Sequence, residues 1–240
     1  LHRLRNEQAV GRKMSMRAMM CFNKGENIRY ISHLDILRLF QRAAVRAELP
    51  MSYSQGYNPH MLIGFACALP TGAMSEAEYG ELTLSSELEC EEIMKRLNAV
   101  LPLGCKISLV KRLPENYPSL MAIVARAEYR IEIVDKGADR LIAELVEHTN
   151  GLTEVMVNKK TKKGMKLTDI KGMIYSLEYR DGAVYCELAA GNSVNLRPDT
   201  LMEYFRDQLD CFPAYRIYRT GMMLEHGGLF DAAMAGEERA

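Results

Sequence analysis

Residues 32–72, SHLDILRLFQRAAVRAELPMSYSQGYNPHMLIGFACALPTG, decide how the fold is read, because they join a helix to a strand through an unusual loop. Ser32 precedes the periodic part and Asp35 stands three residues on, the spacing of a capping box. Ile36, Phe40, Ala43 and Ala47 recur at helical spacing and so face a core. Leu49-Pro50 ends the helix, because proline disfavours helical backbone in the residue before it. The apolar run from Leu62 to Leu69 then reads as a buried strand, and Arg17 to Asn23 reads as a short strand ahead of the helix.

Working outward, Tyr79 to Leu84 alternates as a strand, Glu91 to Val100 is an amphipathic helix through Ile93 and Leu97, and Cys105 to Val110 reads as a strand. The order is β-α-β-β-α-β. Residues 113–125, with two prolines, form a connector, after which the order returns. Tyr129, Ile131 and Ile133 alternate; Ala138 to His148 is helical; Thr153 to Val157 is a strand. Met173 to Tyr179 meets Ala183 to Leu188 across an Asp181-Gly182 turn. Thr200 with Glu203 forms a second capping box, and Tyr215 to Tyr218 is the last strand. The expected fold is α+β: two tandem ferredoxin-like sandwiches with antiparallel sheets, the sheets giving most of their shared surface. The expected divisions are a tail or linker over 1–16, units over 17–114 and 126–220, a connector over 115–125 and a tail over 221–240.

Lys plus Arg and Asp plus Glu are both 31, so any nucleic-acid role must rest on a local patch rather than bulk charge. No apolar run reaches the roughly 18 residues of a membrane span and no signal-peptide core is visible, so a cytoplasmic protein without membrane contact is expected. The six cysteines include no C-x-x-C, which argues for reduced thiols, mostly buried, without zinc, disulfide or iron–sulfur cluster. No cofactor is expected. G-x-S-x-G, P-loop and G-x-G-x-x-G patterns are absent, which leaves hydrolase, nucleotidase and dinucleotide readings unsupported.

Four features carry candidate chemistry. Arg38, Arg42 and Arg46 line one side of the helix, either as a solvated face partnered by Asp35 and Glu48 or as guanidiniums for phosphates. The loop Tyr53-Ser54-Gln55-Gly56-Tyr57-Asn58-Pro59-His60 has more aromatic and amide groups than a turn needs, and such groups stack on bases and bond their edges. It is expected to fold back over the helix start, bringing Gln55, Tyr57, Asn58 and His60 towards His33 and Arg38, with Glu76 and Glu78 on the rim. His33 and His60 are the only catalytic candidates, as bases, each also readable as a structural histidine. Lys159, Lys160, Lys162, Lys163 and Lys166 cluster densely between two strands, as a solvated loop or as phosphate contacts.

The segments RYISHLDILRLFQRA, SYSQGYNPHMLIGFACALPTG and SEAEYGELTL, with LTDIKGMI further on, closely resemble the radical SAM-linked protein family. The likeness spans most of residues 16–220 and departs from the family pattern at Met61-Leu62-Ile63-Gly64 and at Gly80. It implies an accessory role beside a radical SAM enzyme with a B12-binding region, as partner or substrate-presenting domain. The element order is also similar to tandem ferredoxin-like endoribonucleases that process CRISPR repeat RNA, and Glu225-His226-Gly227-Gly228 echoes their glycine-rich loop; fold likeness alone transfers no activity. The expected function is therefore a non-catalytic RNA-binding accessory for tRNA or rRNA. The alternatives are a metal-independent endoribonuclease using His33 or His60, and a protein-interaction module that does not meet RNA.

Overall fold

The computed structural model describes residues 15–224 apart from 136, 162 and 163. In chain order the first half runs β1 (Met16–Lys24), α1 (His33–Arg46), β2 (Ile63–Phe65), β3 (Met74–Leu84), α2 (Cys90–Val100) and β4 (Ile107–Leu113). A short α3 (Leu120–Ile123) leads into β5 (Val124–Ile133), α4 (Asp139–Gly151), β6 (Met156–Thr161) and β7 (Gly164–Asp169). β8 (Ile174–Arg180), β9 (Ala183–Ala189), α5 (Pro198–Arg206) and β10 (Tyr215–Leu224) complete the described chain.

This is a mixed α+β fold around one large sheet. Seven strands follow the order β4-β1-β3-β10-β5-β9-β8, and β2 pairs on β3 as the eighth. The pairings are antiparallel except that of β3 with β10. That parallel contact is short, Tyr218 opposite Met74 and Arg219 opposite Ser75, and it joins the strands of the two halves. β6 and β7 form a separate hairpin.

The apolar run in β1 is explained by burial on both faces. Met20 and Phe22 pack with Phe40 of α1 and with Ile93 and Leu97 of α2, whereas Met19 and Cys21 join the core that holds Ile142 of α4 and Phe205 of α5. Gly80 of β3 has a packing reason: a Cβ there would come within 2.7 Å of Met20 Cε and 3.1 Å of Phe65. Helix α1 starts as its sequence predicts, the Ser32 hydroxyl accepting from the Asp35 N–H at 3.2 Å and donating to its carboxylate at 2.7 Å. It ends in a Schellman turn, with Leu49 N–H to Ala44 O at 3.0 Å and Glu48 N–H to Val45 O at 3.1 Å. Glu48 holds the left-handed conformation there, φ 52°. The turn between β8 and β9 places Asp181 and Gly182 at positive φ, as a tight hairpin needs.

Several expectations need correction. β3 begins at Met74 rather than Tyr79, because Glu78, which reads as a solvated acid, is buried in the sheet. Thr200 and Glu203 are no capping box: α5 starts at Pro198, whose fixed φ suits the first helical turn, and Thr200 lies inside it. β6 runs on into the lysines and pairs with β7, a strand the periodicity did not reveal. β10 continues to Leu224. No disulfide joins the described cysteines, of which Cys21, Cys105 and Cys186 are buried and Cys211 is exposed. No described helix is long and apolar enough to cross a membrane.

Candidate functional site

The loop after α1 closes on itself. Tyr53 bridges Met61, Ser54 N–H donates to His60 O at 2.8 Å, and His60 N–H donates to the Ser54 hydroxyl at 3.0 Å. The same hydroxyl lies 2.7 Å from His60 Nδ1, so this imidazole helps to hold the loop shut. Its tip turns at Gly56, φ 128°, a conformation glycine adopts without steric cost. Gln55, Tyr57 and Asn58 are exposed there, and Tyr57 is 100% exposed. A wholly solvated aromatic ring adds nothing to the core, so packing does not account for Tyr57.

The loop lies beside the last turns of α1, not its start. Tyr53, Pro59 and His60 face Gln41, Arg42, Val45 and Arg46 across an open, largely apolar groove. The base of the loop is held by Ser52 N–H to Thr83 O at 2.8 Å and by a bridge from Met51 to Leu84, which fixes it near the end of β3. The structure thus brings together Arg42, Tyr53 and His60 but leaves His33 and Arg38 elsewhere, contrary to the expected fold-back. Arg38 pairs with Asp35 at 2.9 Å on the surface, and the Ser32 hydroxyl first, then Arg38, hold the Asp35 carboxyl below its usual pKa. Arg46 donates to Val100 O at 2.9 Å. Arg42 is exposed and has no ion pair or hydrogen bond among the described residues.

His33 faces the seam between the halves. Its ring meets Phe65 edge-on at 5.5 Å between centroids. Burial lowers its pKa, with the nearby Arg219 charge reinforcing and Glu78 opposing, so the imidazole is neutral at pH 7. Glu78 does not hold Arg38 on a rim: it is buried and takes two bonds from Arg219 Nη1, at 2.9 and 3.0 Å. Arg219 is 1% exposed and also donates to Ala68 O at 2.9 Å and to the Tyr129 hydroxyl at 3.1 Å. Lys24, equally buried, donates to Arg29 O at 2.8 Å, and burial pulls its pKa down to about 8. Glu76 stands near Arg130 at 3.6 Å, likewise away from Arg38.

The lysine cluster sits on the β6–β7 hairpin. Lys159 and Lys166 are direct cross-strand partners, an arrangement that repels in the absence of an anion. Lys159 Nζ reaches Asn195 O at 3.3 Å. The side chain of Lys160, all of Lys162 and Lys163, and Glu225-His226-Gly227-Gly228 lie outside the described residues. On the other hairpin face Met156, Met165 and Leu167 are exposed side by side. Sequence reasoning missed Cys67, Asn192 and Asn195, which line a pocket of about 240 Å3 with His33. Cys67 stands in an apolar run that reads as core, and nothing local marks the two asparagines.

A search of curated proteins gives no match. A family model described as an uncharacterized protein conserved in bacteria (DUF2344) matches residues 17–198, from the start of β1 to the start of α5. That match takes in α1, its loop, the lysine hairpin and the β3 side of the seam but not β10, and by it the chain belongs to this bacterial family.

Proposed function

We propose that the chain is a non-catalytic RNA-binding protein of the cytoplasm that presents tRNA or rRNA to a radical SAM enzyme of the B12-binding type. The observation that carries the RNA reading is the groove beside α1, where Arg42, unpaired among the described residues, faces Tyr53, and the fully exposed Tyr57 stands at the tip of the same loop. A cation for phosphate beside aromatic rings for bases is the pairing that single-stranded RNA sites use. The radical SAM partnership rests on the likeness of the three motifs within residues 29–84 to the radical SAM-linked family. We read the strand orders β4-β1-β3-β2 and β10-β5-β9-β8 as two ferredoxin-like units sharing one sheet.

Sequencing the RNA that co-purifies with the chain tests the reading. The expected result is enrichment of tRNA or rRNA, lost in a variant carrying Arg42→Ala and Tyr57→Ala. Equal recovery from both proteins would contradict it, and metal-independent cleavage of labelled RNA would favour a ribonuclease instead. A second reading, a protein-interaction module, is favoured by the exposed Met156, Met165 and Leu167 on the hairpin. A partner retained after nuclease treatment and lost with Leu167→Asp would support it.

A further inference from the structure

The pocket at the seam differs in kind from the groove. Its walls are His33 at the start of α1, Phe65, Cys67, Met121, and Asn192 with Asn195 from the loop before α5. At about 240 Å3 it falls below the roughly 300–1,000 Å3 of pockets for drug-sized ligands, so it suits one small ring system. The polar walls are of one type. Each asparagine amide and the neutral imidazole of His33 both donates and accepts hydrogen bonds, and none of the six named residues is a carboxylate. Phe65 and the half-exposed Met121 add apolar, polarisable surface. Mixed donor and acceptor edges over apolar walls match a planar heterocycle with donors and acceptors on its rim. They do not match a small ion or an aliphatic chain.

The mouth of the pocket supplies what a base alone would not need. Lys159 Nζ lies 3.3 Å from Asn195 O, so its ammonium borders the loop that carries the amides, and Lys166 stands opposite Lys159 on the hairpin. The like-charge pair becomes favourable once a phosphate stands between them. We infer that the seam pocket binds one nucleotide unit, its base held among His33, Asn192 and Asn195 and its phosphate by Lys159 and Lys166. For the source of that unit, an unstacked residue of RNA, the inference rests on the RNA-binding reading; a free nucleoside monophosphate presents the same chemistry.

Cys67 makes the site readable. Its sulfur is 3.8 Å from Asn195 Nδ2 and 3.7 Å from Arg219 Nη2, on the pocket wall and partly buried. A bound base covers it. The experiment alkylates the full chain with iodoacetamide and follows Cys67 and the exposed Cys211 by peptide mass. It is run alone, with the four ribonucleoside 5′-monophosphates, and with a single-stranded oligoribonucleotide. The expected result is alkylation of Cys67 slowed about tenfold at unchanged Cys211, with Asn195→Ala and Lys159→Ala each weakening the protecting ligand about tenfold, the loss of one good polar contact. Protection by the oligoribonucleotide supports an RNA residue as the ligand. Protection by the monophosphates alone keeps the pocket and removes RNA as its source. RNA binding that depends on Arg42 and Tyr57 while Cys67 stays unprotected overturns this inference and leaves the proposed function standing. Protection that persists in both variants overturns it as well.

Discussion

Arg42 and Arg219 carry the same guanidinium into opposite settings. Arg42 stands exposed on α1 beside an apolar groove, with no partner among the described residues, while Arg219 is 1% exposed and bonded to Glu78, Tyr129 and Ala68. Burying a guanidinium costs several kcal/mol unless its donors are satisfied, so the contacts of Arg219 are the condition for its place in β10. The difference separates two uses of charge in a neutral chain. At the seam, charge is consumed in holding β3, β5 and β10 together; at Arg42 it is left unpaired among the described residues.

The largest effect should come from breaking the seam. Arg219→Met leaves the Glu78 carboxylate buried without its cation and is expected to cost about 3–5 kcal/mol in urea unfolding. Adding Glu78→Leu should return much of that loss. A single-variant cost near zero would mean that the pair does not help to hold the halves together. Lys24, beside the same pair, gives the comparison a pH axis. Its pKa is about 8 in the fold against 10.5 ordinarily, so between those values the unfolded chain binds more protons at Lys24 and this residue's contribution to stability rises with pH. Lys24→Met should flatten that rise. Other buried groups act in the opposite direction within this window, because burial pushes the Cys105 and Cys186 thiols up to about 12 and Tyr129 up to about 12. Each lowers stability as pH rises above about 9 for the thiols and about 10 for the tyrosine. The Lys24 effect is therefore read as the difference between wild type and Lys24→Met, with His33 titrating below the window.

On the groove side the effects should be smaller and should appear in binding. Tyr57→Ala is expected to weaken RNA binding by about 1–3 kcal/mol, the worth of one stacked base, with unfolding unchanged. Smallest is Glu48→Gly, which relieves the left-handed strain at the end of α1 and should stabilise the protein by about 0.5–1 kcal/mol. A loss of stability there would show that the Glu48 side chain has a further role.

What could be read beforehand follows the range of the interactions. The Ser32–Asp35 cap, the apolar face of α1 and the Asp181-Gly182 turn are each decided within a few residues, and all three appear as the pattern predicts. The start of β3 was hidden because the partner of Glu78 lies 141 residues away. Hairpin β6–β7 was hidden because its faces are mostly exposed and leave no apolar alternation to detect. At the candidate site, the chemistry of the Tyr53–His60 loop was legible from composition, but its position was not. The Schellman turn at Glu48 and the bridge from Met51 to Leu84 direct it to Arg42 instead of His33. The seam pocket joins α1 to a loop more than 150 residues later, and no periodicity reports such a meeting.

RNA affinity measured across a salt series, on the wild type and on Arg42→Ala, tests the central claim most directly. If the groove grips RNA and Arg42 meets a phosphate, the variant should bind more weakly and lower the slope of log affinity against log salt by about one unit. An unchanged slope and affinity, with the loss appearing only when Lys159 and Lys166 are replaced, would contradict the groove and move the RNA contact to the hairpin.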